Sequence, residues 1–455
     1  MTTKAVTDST DTVYPAPATL TEQADIEQDS LLLDCPDEII LPILFSLGEK
    51  DLASASLTCR RLYVLANDTF LWKNLFFKTF PYRATKVTPY PMIAWKPFHQ
   101  DAYRIESNLL HGICQEKTLP AHDARITSIH HQTPYLFTAD SEGTLKVRSR
   151  HPEHLYADVQ TISGCQGGSI QFHAETGTIA FPTEDGSIRL LRKPSPQEPF
   201  DTVQVLPGDG SKIEQFSLEK EHLFFVTGNR NFYIWSKDLS GNYANPASIP
   251  DIMKFACFSN EVAVLKSDST IAILKINEDK SVDYSYSPAE TTPSLGRLAH
   301  IVFTDENLFI CNLFGMVKVF AKEAEGPLKE IQNMPLLTQF PDSITSLLAH
   351  EDYLISGSLK GQARIFRRQP SKEYAEIPCP AVHTDRINQI VMKEGFLCIA
   401  STDSKTSLLR KNPAGEFIGL KELQNLDQGA TTVAIEDDRF ISGYADGQMR
   451  IWDFT

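Results

Sequence analysis

A short pattern recurs eight times over the last three-quarters of this chain at a nearly constant period, and no other feature restricts the fold as much. The clearest copy is the last. Phe440-Ile441-Ser442-Gly443-Tyr444-Ala445-Asp446-Gly447 leads into Gln448-Met449-Arg450-Ile451-Trp452-Asp453. It reads as a strand, a tight Asp-Gly turn and an alternating strand that ends on an aromatic ring. Weaker copies run from Leu354 to Phe366, from Leu308 to Phe320 and from Ala180 to Leu191. With the final strand residue as a ruler, the anchors are Arg148, Leu191, Trp235, Leu274, Phe320, Phe366, Arg410 and Trp452, spaced 39 to 46 residues apart. That is the period of a four-stranded propeller blade, about 40–45 residues. Another apolar strand precedes each anchor, as around Ile126, Ile213, Ile344 and Ile387. The spacing predicts one all-β, eight-bladed propeller over residues 110–455.

Counting strands predicts how the ring closes. The last repeat stops at Thr455, after its third strand, which would leave an open edge that invites aggregation. Residues 111–119 precede the first repeat and have no blade of their own, so they are expected to supply the fourth strand of the last blade.

The N-terminal part is different. Residues 1–30 hold Lys4 against six acids and few apolar side chains, and read as a disordered acidic tail. Residues 31–80 turn helical. Pro36-Asp37-Glu38 suits a first helical turn, followed by Ile39, Ile40, Ile43, Leu44 and Leu47 at helical spacing. Gly48 is expected to stop this helix, Asp51 to cap a second with Leu52, and Asp68 to cap a last one with Leu71 and Trp72. Leu57, Leu62 and Leu65 are expected on a third helix between these two. About fifty residues of short helices make a marginal core alone and need something to lean on. Residues 81–109 hold aromatic and basic residues: Tyr82, Arg83, Trp95, Lys96, Phe98, Tyr103 and Arg104. Between Arg60 and Arg104 eight basic residues face only Asp68 and Asp101. That segment is a solvated connector or a face for an acidic partner.

Composition excludes several function classes. The formal net charge is −15, a poor match to nucleic acid or to anionic membrane, both of which need phosphates neutralised. No apolar run approaches the ~20 residues of a membrane span. The eight cysteines show no C-x-x-C spacing, which argues against a disulfide framework or zinc site and for a reducing compartment. The first residues lack a signal-peptide core and are too acidic for a mitochondrial presequence. His130 and His131 are adjacent in an alternating strand and point to opposite faces, so they cannot share a metal. No G-x-S-x-G, H-E-x-x-H or phosphate-binding glycine loop occurs. Neither cofactor nor catalytic residue is expected.

The repeats resemble the WD-repeat family. His122 and His383 stand where that family often has Gly-His, and Trp452-Asp453 is its name-giving pair; the resemblance implies that these histidines are structural, tied to a turn Asp. The helical block resembles an F-box through Pro36, Glu38-Ile39, Ile43-Leu44, Leu47, Asp51-Leu52, Leu57, Cys59-Arg60, Leu65 and Leu71-Trp72. Pro42 departs from it, since a proline ring inside a helix removes a hydrogen bond. Together the two resemble F-box/WD-repeat proteins, and Trp95-Lys96, Tyr103-Arg104 and Asn108 resemble the helical linker of that family, which implies such a linker over residues 81–109. The resemblance implies a substrate-recognition subunit of a cullin–RING ubiquitin ligase in the cytoplasm or nucleus of a eukaryotic cell, its own or a host's. It implies that Pro36, Glu38, Ile39, Ile43, Leu44, Leu52, Leu57, Cys59, Leu65 and Trp72 bind a Skp-family adaptor and that the propeller binds a substrate protein. The alternative is a propeller scaffold with an inert F-box, such as a bacterial effector acting in a eukaryotic host.

The resemblance also implies a substrate-binding rim with two positions per blade. Mapped here they are Thr127, Ser141, Gln171, Glu184, Glu214, Arg230, Lys254, Asp268, Ala299, Leu313, Thr345, Leu359, Asn388, Asp403, Thr431 and Ala445. Family members that read phosphorylated segments place several arginines there, because guanidinium forks suit phosphate. One Arg and one Lys against four acids imply a neutral or basic peptide instead, with Leu313, Phe314 and Leu359 as an apolar anchor.

Overall fold

In the computed structural model the chain divides into two units, residues 1–100 and 101–455. The structure describes residues 35–455 except 81–93, 133, 152–154, 196–197, 269, 278, 280, 287–297, 323–327, 339–340, 425–427 and 437. The expected acidic tail, and Tyr82 and Arg83 of the linker, lie outside the described residues.

The first unit is helical. It holds α1 (Asp37–Phe45), α2 (Glu49–Ser56), α3 (Arg60–Ala66), α4 (Thr69–Thr79) and the start of α5 (Trp95–His111). Each helix turns one stripe inward, so Ile40, Leu44, Leu52, Leu62, Leu65, Leu71, Trp72 and Phe76 form the core. The Asp68 carboxylate caps α4 by accepting from the Phe70 and Leu71 amides at 2.8 and 3.1 Å. Asp51 does not cap α2. Gly48 holds the extended cap position and Asp51 lies inside the first turn, where its charge still suits the helix dipole. Pro42 lies inside α1, which runs on to Phe45. The Trp72 indole N–H donates to the Ala66 carbonyl at 2.7 Å, and its ring packs against His99 on α5 at 5.4 Å.

The second unit is an eight-bladed all-β propeller. Eight antiparallel sheets of four strands follow one another, seven built from consecutive strands. The eighth is built from both ends of the repeat region: strand Gln115–Pro120 pairs with strand Gln448–Asp453 in an unbroken ladder from Gln115↔Asp453 to Pro120↔Gln448. The far half of α5 belongs to this unit. Its Leu109 is buried with Phe396, Leu423, Phe440 and Phe454, its Asn108 amide donates to the Phe454 carbonyl at 2.9 Å, and its Glu106 pairs with Arg410.

Side-chain amides tie blade to blade. Gln160, Gln204 and Gln332 each follow a β-bulge in the fourth strand of their blade, at Val159, Val203 and Ile331. Each carboxamide donates to a carbonyl and accepts from the amide of one residue in the next blade. Gln160 takes Phe200 at 2.8 and 2.8 Å, Gln204 takes Tyr243 at 2.5 and 2.9 Å, and Gln332 takes Tyr374 at 2.9 and 2.7 Å. The side chain thus supplies the pair of hydrogen bonds that a neighbouring peptide unit would. In the seventh blade the same position is Lys421, whose ammonium donates to the Gly112 carbonyl at 2.6 Å, just before the closing strand.

Candidate functional site: an exposed helical face and a propeller rim

The ten residues expected to meet an adaptor divide into two sets. Leu44, Leu52, Leu65 and Trp72 are buried in the unit's own core. They hold the helices together and offer a partner nothing. Cys59 caps α3, its sulfur accepting from the Leu62 amide at 3.4 Å. Pro36 and Glu38 are exposed. Ile39, Ile43 and Leu57 are exposed too, Ile43 to 45% and Leu57 to 86%. Tyr63, Val64 and Phe70 join them, although the sequence reading had passed over all three. Helix α1 therefore carries two apolar stripes at i, i+4 spacing: Ile40 and Leu44 face in, Ile39 and Ile43 face out. The outer stripe is an apolar surface of the kind that marks interaction sites.

The propeller rim follows from a regular backbone feature. The first strand of seven blades carries a β-bulge near its start. The residue at the bulge is Thr127, Glu214, Met253, Ala299, Thr345, Asn388 or Thr431. In the second blade Gln171 instead pairs with Ala180 further along its strand, and its carboxamide meets Phe216 and Leu218 of the third blade. Lys254 likewise lies one residue beyond the bulge. The rim residue of the fourth blade is Met253, which is exposed.

The second rim position is fixed by a recurring hydrogen bond from the residue after the second strand to the loop that leads into the blade. Ser141, Gly228, Ser267, Leu359 and Thr402 donate it to the carbonyls of Arg125, Lys212, Asp251, Ser343 and Arg386. This corrects three expectations: Gly228 takes the place assigned to Arg230, Ser267 that of Asp268, and Thr402 that of Asp403. Those three turns lack the positive-φ glycine found elsewhere at Gly143, Gly186, Gly315, Gly361 and Gly447, so no residue type marks their register. Ser141, Glu184, Leu313, Leu359 and Ala445 hold the turn positions expected of them, and the corrected rim carries two acids, Glu184 and Glu214, and no base.

Several rim hydroxyls and amides are already engaged. Thr127, Thr345 and Thr431 donate to the carbonyls of Gly168, Ile387 and Ile126 in the following blade, and the Asn388 amide donates to Ala430. These four lace neighbouring blades together around the axis. Leu359 and Phe314 remain exposed, and Leu313 is half-buried.

Asp403 belongs to a buried network. His383 Nδ1 meets it at 3.0 Å and His383 Nε2 meets the Ser407 hydroxyl at 3.0 Å. Burial alone would raise the Asp403 carboxyl; the Thr384 amide and the His383 ring outweigh it and hold it below its ordinary value. His122 has the same surroundings, with Asp140 at 2.9 Å and Thr138 at 2.8 Å, and Arg148 donates to Thr138 from the anchor position. Of the adjacent pair, His131 meets Glu436 at 3.0 Å, while His130 interacts with the Ile170 backbone.

Burial pushes His99, His122, His130 and His300 below the ordinary histidine value of 6.5. The unfolded chain then binds protons more readily than the folded one as acid is added. Stability is complete above about pH 6.5 and declines as pH falls through that value. Thermal melts should show a falling Tm between pH 7 and 5, before ordinary carboxylates titrate; a flat profile would contradict these buried, neutral rings.

Comparison with known proteins agrees with both halves of this geometry. Residues 32–78 match the F-box-like family model, and residues 113–149 match the model of the WD domain, G-beta repeat. Among solved structures, the propeller is similar to the computationally designed Ika8 protein at 14% identity and a TM-score of 0.57, over 74% of this chain and 98% of that one. It is similar to Saccharomyces cerevisiae Sqt1 at 11% identity and a TM-score of 0.58, over 74% and 97%. Chaetomium thermophilum Sqt1 bound to the N-terminus of the ribosomal protein L10 matches at 11% and 0.57, over 74% and 98%. At these identities the likeness is one of fold. Among the described residues no helix is long and apolar enough to cross a membrane.

Proposed function

We propose that this chain, an F-box-like module joined to a WD-repeat propeller, is the substrate-recognition subunit of a cullin–RING ubiquitin ligase. A module of each kind is an interaction device, and the pair makes an adaptor that joins two partners. In this reading the helical unit docks a Skp-family adaptor and the propeller rim holds a substrate protein. The observation that carries it is the outer apolar stripe of α1 in a unit that matches the F-box-like model. Docking would bury Ile39, Ile43 and Leu57, which the unit's own core leaves in water. The ubiquitin chemistry is done by other subunits, and this chain contributes placement, raising the effective concentration of a substrate lysine. No catalytic residue is assigned to it. The cytoplasm or nucleus of a eukaryotic cell is where such a complex works.

The test is co-purification of the full chain with a Skp-family adaptor on a sizing column, beside an Ile43→Glu/Leu57→Glu variant. Both side chains are exposed, so the variant should melt at the temperature of the parent. A stoichiometric complex that disappears in the variant is the expected result. No complex with the parent at micromolar concentrations would favour a propeller scaffold with an inert F-box, and would point to Pro42 as the reason.

A further inference from the structure

The surface that carries the turns and inter-blade loops is divided by chemistry into two adjoining arcs. In blades one, two, five, six and eight the turn packs on the loop that leads into the next blade. A Cβ on Gly315 would strike Leu337, one on Gly361 would strike the His383 and Asp385 carbonyls, and one on Gly447 would strike those of His122 and Ala124. The Gln362 carboxamide also bonds to the Thr338 amide. These contacts place Phe314, Leu359 and Val382 in sequence along blades five to seven, exposed to 58%, 46% and 66%. Large apolar side chains standing in water next to one another are what a partner covers.

Beyond the seventh blade the arc becomes acidic. Asp446 lies in the turn of blade eight, Asp123 in the loop into blade one, Glu142 in the turn of blade one, and Glu184 and Asp185 in the turn of blade two. All five are exposed; Arg125 among them and Lys212 in the loop against the blade-two turn are exposed bases. None of the five makes an ion pair with a described residue. Hydrogen bonds from the Thr183 and Ser187 hydroxyls hold the Asp185 carboxyl below its ordinary value. The arc therefore sets five carboxylates against the Arg125 guanidinium and the Lys212 ammonium. No base stands at the rim positions fixed by the backbone bonds; Arg230, Lys360 and Arg386 are exposed beside them on other blades.

We propose that this face takes an unphosphorylated, amphipathic segment of a protein, with an apolar side chain seated on Phe314, Leu359 and Val382 and lysines or arginines against Asp123, Glu142 and Glu184. The proposal rests on the reading of the propeller as the substrate-holding half, and names what it holds. The apolar arc supplies contact area and the acidic arc supplies register and capture rate, the usual division between an anchor and a charged rim. Substrate choice would follow from spacing: a segment must place its basic residues to the side of its apolar anchor on which blade eight lies.

A positional-scanning library of peptides about 12 residues long, with a parallel phosphoserine sublibrary, is to be bound to the immobilised full chain. Enrichment for Leu, Ile or Phe together with Lys or Arg is expected. Binding of the selected peptide should weaken by about tenfold or more in Phe314→Ser/Leu359→Ser, and likewise in Glu142→Lys/Glu184→Lys. Raising salt from about 50 to 300 mM should weaken binding to the parent and not to the charge-reversed variant. Enrichment of phosphoserine or acidic residues, indifference of the selected peptide to both variants, or no binding at about 100 µM would each overturn the proposal. Both variants leave the helical unit untouched and should co-elute with the adaptor as the parent does. A lost adaptor complex with peptide binding intact would count against the ligase reading alone.

Discussion

A chain that begins at Ala121 will not yield a soluble monomeric propeller, whereas one that begins at Trp95 will. The shorter chain lacks strand Gln115–Pro120 and with it the six-residue ladder against Gln448–Asp453. That uncovers the outer edge of the last blade, and an unpaired edge is a template for strand addition from another molecule. It also removes Leu109, which is fully buried against Phe396, Phe440 and Phe454, together with the Asn108 bond to Phe454 and the Glu106–Arg410 pair. Loss of a buried leucine alone costs about 2–5 kcal/mol, a large share of the roughly 5–15 kcal/mol that keeps a domain folded. Size-exclusion chromatography with light scattering separates the outcomes. A monodisperse monomer from the shorter chain would show that the ring does not depend on its first strand.

Trp72→Ala should unfold the helical unit and spare the propeller. The side chain is 1% exposed, its indole satisfies the Ala66 carbonyl, and its faces carry His99 and the Lys96 ammonium, the latter at 5.5 Å. Removing a buried Trp costs about 3–5 kcal/mol. A unit of this size has little stability beyond that. Amide exchange across residues 37–79 should become fast, while exchange in the blades stays slow. Protection retained in α3 and α4 would refute the assignment of Trp72 to the core. Together with the Ile43→Glu/Leu57→Glu pair, this separates a partner-binding loss from an unfolding loss, which Leu44 or Trp72 substitutions alone would confuse.

The period of the repeat was enough to reach the ring, its eight blades and its closing strand, because strand pairing imposes one length on every blade. Rim residues were legible only where the turn kept a sequence mark. Glu184, Leu313, Leu359 and Ala445 fall where expected because Gly186, Gly315, Gly361 and Gly447 supply the positive φ that the turn requires. In the turns near Ser267 and Thr402 no such glycine occurs. Ser404 instead takes a positive φ in the second of these, and the register slipped by one residue. The bulge before Lys254 is a backbone event with no preferred side chain, and it displaced that assignment too. On the helices, apolar residues surround α1 on most sides, so spacing alone could not separate Ile39 and Ile43 from Ile40 and Leu44. The bridging glutamines left no mark in the sequence that differs from an exposed glutamine.

The strand that closes the ring is also the strand through which the ring is tethered. Residues 101–111 of α5 and strand Gln115–Pro120 are where the chain coming from the helical unit enters the blades. That strand pairs with Gln448–Asp453 over six residues, so a load that reaches it along the chain falls on the ladder that closes the last blade. The same load meets Leu109 and the Glu106–Arg410 pair first. If the clasp gives way, the last blade loses an edge and the ring opens. The point of attachment is therefore also the point of closure: what disturbs the link disturbs the edge of the last blade first.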